Sequence, residues 1–112
     1  MSEMKNDKYR RARGGKAFMV RVHCALCGSE ALYYQKDGDG ALKRCYLNRI
    51  YAPANLAQLQ NNPAMDDPKQ VPALECPKCK TVLGKAITHH DGRVAFRLRP
   101  GFFFKRRDTE KS

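Results

Sequence analysis

The chain has 112 residues, 22 Lys+Arg against 11 Asp+Glu, a formal net charge of +11, and five cysteines. At roughly 100–200 residues per domain this is one domain with tails, and no run reaches the ~18 apolar residues of a membrane helix. The longest early apolar cluster, Ala17-Phe18-Met19-Val20, is cut by Arg21. That is too short for a secretory leader, so a cytoplasmic, reducing setting is expected. The cysteine content lies below the ~8–10% of a disulfide-built secreted domain, and in a reducing compartment paired cysteines point to metal rather than to disulfides.

The charge is uneven. Residues 1–23 carry seven Lys/Arg against two Asp/Glu, residues 24–75 five against six, and residues 76–112 ten against three. Two basic ends around a neutral middle suit an anionic partner, nucleic acid above all. The plainer alternative is a solubilising surface with a basic tail.

Residues 1–16 have little apolar content and end in Arg13-Gly14-Gly15-Lys16. They are expected to form a flexible basic N-terminal tail. Segment 17–23 alternates, with Phe18, Val20 and Val22 on one face, and predicts a half-buried strand. Segments 31–36 and 41–51 are rich in strand formers. The turn signal Asp37-Gly38-Asp39-Gly40 between them predicts a hairpin. Pro53 can open a short helix that ends before Pro63, inside an exposed insertion spanning 53–70. Segments 81–88 and 93–99 flank His89-His90-Asp91-Gly92 and predict a second hairpin, with the two histidines on its surface. In 93–99, Val94, Phe96 and Leu98 point one way, which puts Arg93, Arg97 and Arg99 in a row on the other face. Phe102-Phe103-Phe104 predicts a last short strand with Phe102 and Phe104 inward and Phe103 free to stack. A charged tail, 105–112, follows. The β domain is thus expected over 17–104.

Cys24-Ala25-Leu26-Cys27-Gly28 and Cys76-Pro77-Lys78-Cys79-Lys80 are two Cys-x-x-Cys knuckles. Two intervening residues let a tight turn aim both sulfurs at one point, and two such turns supply the four sulfurs of a tetrahedral Zn²⁺. One knuckle alone could be a redox motif, but neither sits in a strand–motif–helix context. Four protein ligands leave no open position, so the zinc is expected to be structural. The 48 residues between Cys27 and Cys76 exceed the ~15–20 of a compact ribbon, so the metal should join two halves of a larger β domain. Lys78, Lys80 and His23 flank the ligands and would offset their charge. Cys45 lies in a predicted strand and is assigned to the core.

The run Cys76-Pro-Lys-Cys79-Lys-Thr-Val-Leu83-Gly84, then Asp91-Gly92 and Phe96-Arg97-Leu98, resembles the end of the β-tent families. These include Yippee proteins, methionine-R-sulfoxide reductases and the ligand-binding domain of cereblon. Gly38-Asp39-Gly40-Ala41-Leu42 with Tyr46-Leu47 is similar to the Gly-rich turn and strand between Yippee knuckles. The resemblance implies two antiparallel sheets packed across one another, with zinc pinning one end. The reductases' catalytic cysteine follows their second knuckle, and no cysteine follows Cys79. The cereblon cage is built of tryptophans, and this chain has none.

The expectation is therefore a mainly β, zinc-stabilised pair of antiparallel sheets, of β-tent or enlarged zinc-ribbon type, with a short helix in the central insertion. Expected ligands are Cys24, Cys27, Cys76 and Cys79. Expected nucleic-acid contacts are Arg10, Arg11, Arg13, Lys16, Arg93, Arg97, Arg99, Lys105, Arg106 and Arg107. The partner would be RNA, another nucleic acid or a ribonucleoprotein. The alternative is a protein-assembly module that docks a partner through the acidic, Pro-broken 53–70 segment. No paired carboxylates, Ser/His/Asp set or phosphate loop is present, so neither catalysis nor a small-molecule substrate is expected, and no amphipathic helix suggests a membrane surface.

Overall fold

The computed structural model describes residues 4–12, 14–38 and 40–108. Eight strands form two four-stranded antiparallel sheets. The first has the order β4-β2-β1-β8, from β1 (Ala17–Cys24), β2 (Glu30–Asp37), β4 (Ile50–Ala52) and β8 (Phe103–Arg107). The second has the order β3-β7-β6-β5, from β3 (Arg44–Tyr46), β5 (Leu74–Glu75), β6 (Val82–Thr88) and β7 (Val94–Leu98). Period-2 alternation builds both. Val20, Val22 and Cys24 of β1 and Val94, Phe96 and Leu98 of β7 enter one shared core with Leu32, Ile50, Leu74 and Leu83. Cys45 lies in that core opposite Phe96, as expected, and burial pushes its thiol well above the ordinary range.

The hairpin expected across 31–51 does not form. Residues 41–51 divide into β3, a 3₁₀ turn at Leu47–Arg49, and β4. β3 pairs with β7 in the second sheet, and β4 returns to β2 in the first. The reason lies in the phase of the apolar residues. Leu42 and Ile50 are even-numbered, Cys45 and Leu47 odd, and all four are buried. No single strand of period 2 can bury both sets. The turn resets the phase, so each short strand faces the core.

Two segments expected to be tails or exposed loops are held to the body. After α2 (Ala54–Ala57), the stretch 58–70 runs through three 3₁₀ turns, and Leu56, Leu59 and Met65 pack on the core. At the C-terminal end β8 continues to Arg107, where the tail was expected to start at 105, with Val22 opposite Lys105 and Val20 opposite Arg107. Phe102 packs on the core as expected, but Phe103 and Phe104 exchange their expected places. Phe103 packs on the core and Phe104 is 41% exposed.

The N-terminal segment, expected to be flexible, is docked over residues 4–12 through a buried arginine. Arg49 has no side-chain exposure. Its Nη1 and Nη2 donate to the two Asp7 carboxylate oxygens at 3.0 and 2.5 Å, and its Nε donates to Asp37 at 2.9 Å. Asp7 also caps the short helix α1 (Lys8–Ala12), accepting from the backbone N–H groups of Tyr9 and Arg10. One residue upstream of that turn, the Lys5 ammonium donates to the Asn48 carbonyl and to Gln60 Oε1, and Gln35 Nε2 donates to the Lys5 carbonyl at 2.8 Å.

Two predictions concern this frame. Arg49→Met would leave Asp37, only 9% exposed, without its cation. It should cost about 3 kcal/mol in denaturant unfolding. The guanidinium hydrogen bond holds Asp7 well below the usual carboxylate range. A group depressed in the folded state contributes stability above its unfolded pKa of about 3.9 and loses it as pH falls below that value. Acid should therefore weaken wild type faster than Asp7→Asn, seen as convergence of their midpoints below about pH 4. Independently, a Cβ on Gly84 would lie 2.7 Å from the Arg97 carbonyl oxygen, so Gly84→Ala should lower stability by about 1–3 kcal/mol.

Candidate functional site

The two knuckles meet although each grows from a different sheet. Cys24 is the last residue of β1, and Cys76 follows β5. The knuckles share one backbone design. In the first, Gly28 N–H donates to the Cys24 carbonyl at 2.8 Å. In the second, Lys80 N–H donates to the Cys76 carbonyl at 3.0 Å. Gly28 and Lys80 occupy the same left-handed position, with φ of 80° and 67°. Glycine does so freely, whereas lysine carries a steric cost of about 1–2 kcal/mol.

The four sulfurs lie within 4.8 Å of one another. Cys24 Sγ is 3.7 Å from Cys79 Sγ, and Cys27 Sγ is 3.4 Å from Cys76 Sγ. A tetrahedron with ~2.3 Å metal–sulfur bonds has sulfur–sulfur edges of roughly 3.8 Å. The cluster therefore fits a Zn²⁺-sized ion. Its surroundings favour thiolates. Ser29 hydrogen bonds bring the Cys27 thiol down to about 6, and Thr81 lowers Cys79. Lys78 and Cys79 backbone N–H groups each donate to Cys76 Sγ at 3.4 Å. Burial pushes Cys24 the other way, a cost that a bound cation removes. Two ligands are buried and two exposed, with no other group of three or more metal-ligating side chains among the described residues.

The expected basic contacts fall into three groups. Arg11, Lys16, Arg97, Lys105 and Arg106 are exposed. Arg10, Arg93, Arg99 and Arg107 have structural employment. Arg10 Nε donates to the Gly15 carbonyl, and Arg99 Nη1 donates to the Val82 carbonyl while covering the Phe102 ring. Arg107 covers Phe18. Arg93 lies between the Tyr9 and Tyr46 rings at 3.7 and 3.6 Å and pairs with Asp91 at 2.9 Å. Arg13 lies outside the described residues. Arg99 and Arg107 are exposed as well, so the expected row Arg93/Arg97/Arg99 keeps Arg97 and Arg99 at the surface, with Arg93 turned into its tyrosine clamp.

A different row exists across the strands. On the outer face of the second sheet, Arg97 of β7 stands opposite Arg44 of β3 on one side and Lys85 of β6 on the other. Neither Arg44 nor Lys85 is singled out by sequence reading, because the row requires β3 to pair with β7. On the first sheet, Arg106 stands opposite Arg21, and Phe104 stands opposite His23 with the rings stacked at 5.0 Å and 6°. His23 Nδ1 lies 3.0 Å from the Gly28 carbonyl. No helix among the described residues is long and apolar enough to cross a membrane. No family model, curated protein or solved structure matches the chain.

Replacing Cys76 or Cys79 by Ser should unfold the zinc-loaded protein, as should a strong chelator. A dispersed amide NMR spectrum that persists without metal would refute the structural role.

Proposed function

We propose that the chain is a non-enzymatic module of β-tent type, held by a structural Cys₄ zinc, that binds single-stranded nucleic acid, RNA in preference. The observation that carries the reading is the Arg44–Arg97–Lys85 row. Like charges directly opposite on adjacent strands destabilise a sheet, and strands about 4.8 Å apart set these cations at a spacing that phosphates can bridge. The acidic side chains do not sit at the paired positions of this row. Phosphate contacts of this kind release counterions and supply sequence-independent affinity. The Phe104–His23 stack, beside Arg21 and Arg106, adds an aromatic surface suited to unpaired bases. Segment 53–70 rests on the core through Leu56, Leu59 and Met65 and exposes most of its other residues, so docking a partner there stays open. A protein-interaction reading is also favoured by Leu26, 64% exposed on the first knuckle. It would be supported by a pull-down that survives nuclease and high salt and is lost in Leu26→Asp.

Fluorescence anisotropy of a labelled single-stranded RNA with zinc-loaded protein tests the nucleic-acid reading. For six phosphate contacts log K should fall with log salt at a slope of about −4. Arg97→Ala with Lys85→Ala should make that slope shallower by about 1.4 and leave stability within about 0.5 kcal/mol. Phe104→Ala should cost about 1–3 kcal/mol of single-strand affinity. Absence of binding at low salt, or a flat salt dependence, refutes the reading.

A further inference from the structure

A concavity of about 740 Å³ opens between α1, the 41–44 segment and the turn joining β6 to β7. Its volume is that of a small-molecule site. Its walls combine aromatic and cationic groups: Tyr9, Tyr46, His89, Lys43, Arg44 and Arg93. The histidines expected on the hairpin surface belong to it. His89 meets Tyr46 edge-on at 5.4 Å, and His90 lies 3.9 Å from His89.

Arg93 is the informative residue. Its side chain is 14% exposed and clamped between two tyrosine rings. Nε and Nη2 face the Asp91 carboxylate at 3.0 and 2.9 Å. Nη1 is buried and has no acceptor. A buried charged donor without a partner is costly and uncommon in a folded protein. Among its described residues the cleft has two carboxylates, and both are committed: Asp91 to Arg93, and Asp37 to Arg49. The Lys36 ammonium donates to the Gly38 carbonyl. Lys43, which is exposed, and Arg44 stand at the same cleft. Among its described residues the cleft carries more cations than carboxylates, and Arg93 Nη1 has no acceptor.

We propose that this cleft binds a phosphomonoester of nucleotide size. The phosphate is received by Lys43, Arg44 and the open edge of Arg93, and the organic part lies along the Tyr46 and His89 side. Phosphate supplies several acceptor oxygens to a planar guanidinium fork. The volume exceeds what a bare inorganic ion needs and leaves room for an organic part beside the phosphate. Because Tyr9 lies on Arg93, ligand entry also involves α1, and the docked N-terminal segment forms one wall of the site. The site shares Arg44 with the cation row but not Arg97 or Lys85, so variants at those two residues distinguish it from the nucleic-acid reading.

The test is titration of zinc-loaded full-length protein with adenosine monophosphate, ribose 5-phosphate and adenosine, followed by amide NMR. Saturable shifts confined to residues 9–12, 41–46 and 89–93 are expected with the two phosphates and not with adenosine. Lys43→Glu should weaken binding about tenfold, the loss of one charge-assisted contact. Lys85→Glu, the same charge change outside the cleft, should leave it unchanged. Arg93→Lys keeps the charge and removes the fork, and should weaken binding in a protein whose spectrum stays dispersed. Shifts with adenosine alone, absence of saturable shifts, or equal loss in Lys43→Glu and Lys85→Glu would overturn the proposal. Loss of RNA binding in Arg97→Ala/Lys85→Ala with intact phosphate binding would separate the two sites.

Discussion

Four cysteine sulfurs held within 4.8 Å are the constraint on which the rest of the molecule depends. One pair hangs from the end of β1 and the other stands between β5 and β6, so the cluster ties one sheet to the other. Without a cation, ionised sulfurs at this separation repel each other. With one, the same proximity becomes attraction. Zinc contributes about 10–16 kcal/mol in finger peptides, against a total of about 5–15 kcal/mol for an ordinary domain. The two magnitudes are comparable, so a zinc ion held by the four cysteines would fix the relative placement of the sheets and of the surfaces built on them.

Five of the acidic residues pair with arginines. Asp7 and Asp37 neutralise Arg49, Asp91 pairs with Arg93, and Glu30 and Asp108 face Arg21. Each pairing fixes a local shape: the N-terminal segment against the core, the β6–β7 turn, or the outer face of β1. The uncompensated charge then concentrates on a few side chains, among them Arg44, Arg97 and Lys85 in one line. Net charge alone does not distinguish this from a uniformly basic surface. The register does.

Much of the frame was legible in the chain. The knuckle spacing located the four ligands, and alternation located β1, β6 and β7. Gly92 and the two histidines marked the turn. What was not legible came from partner choice. Segment 41–51 has strand composition throughout, but its buried residues change phase, and that change sends β3 to one sheet and β4 to the other. The cation row was hidden for the same reason. Arg44 and Lys85 are 41 positions apart in sequence and become neighbours of Arg97 only through strand pairing. Arg49 was equally silent. A single arginine in a strand-like stretch carries no sign that two aspartates, at 7 and 37, will enclose it. The phase of 102–104 was misread because the strand starts at Phe103, which turns Phe104 outward.

The pairing of β1 with β8 sets a condition on the order of events when the chain is made. β1 is an interior strand of its sheet, with β2 on one side and β8 on the other. Its first neighbour, β2, begins six residues after it, but its second, β8, begins only at Phe103. Until Phe103–Arg107 is available, one side of β1 offers unpaired backbone groups to any other strand it meets. The β1–β2 hairpin must therefore wait in an incomplete form. The basic character of β8 discourages its like-charged copies from pairing with each other while each seeks its own β1.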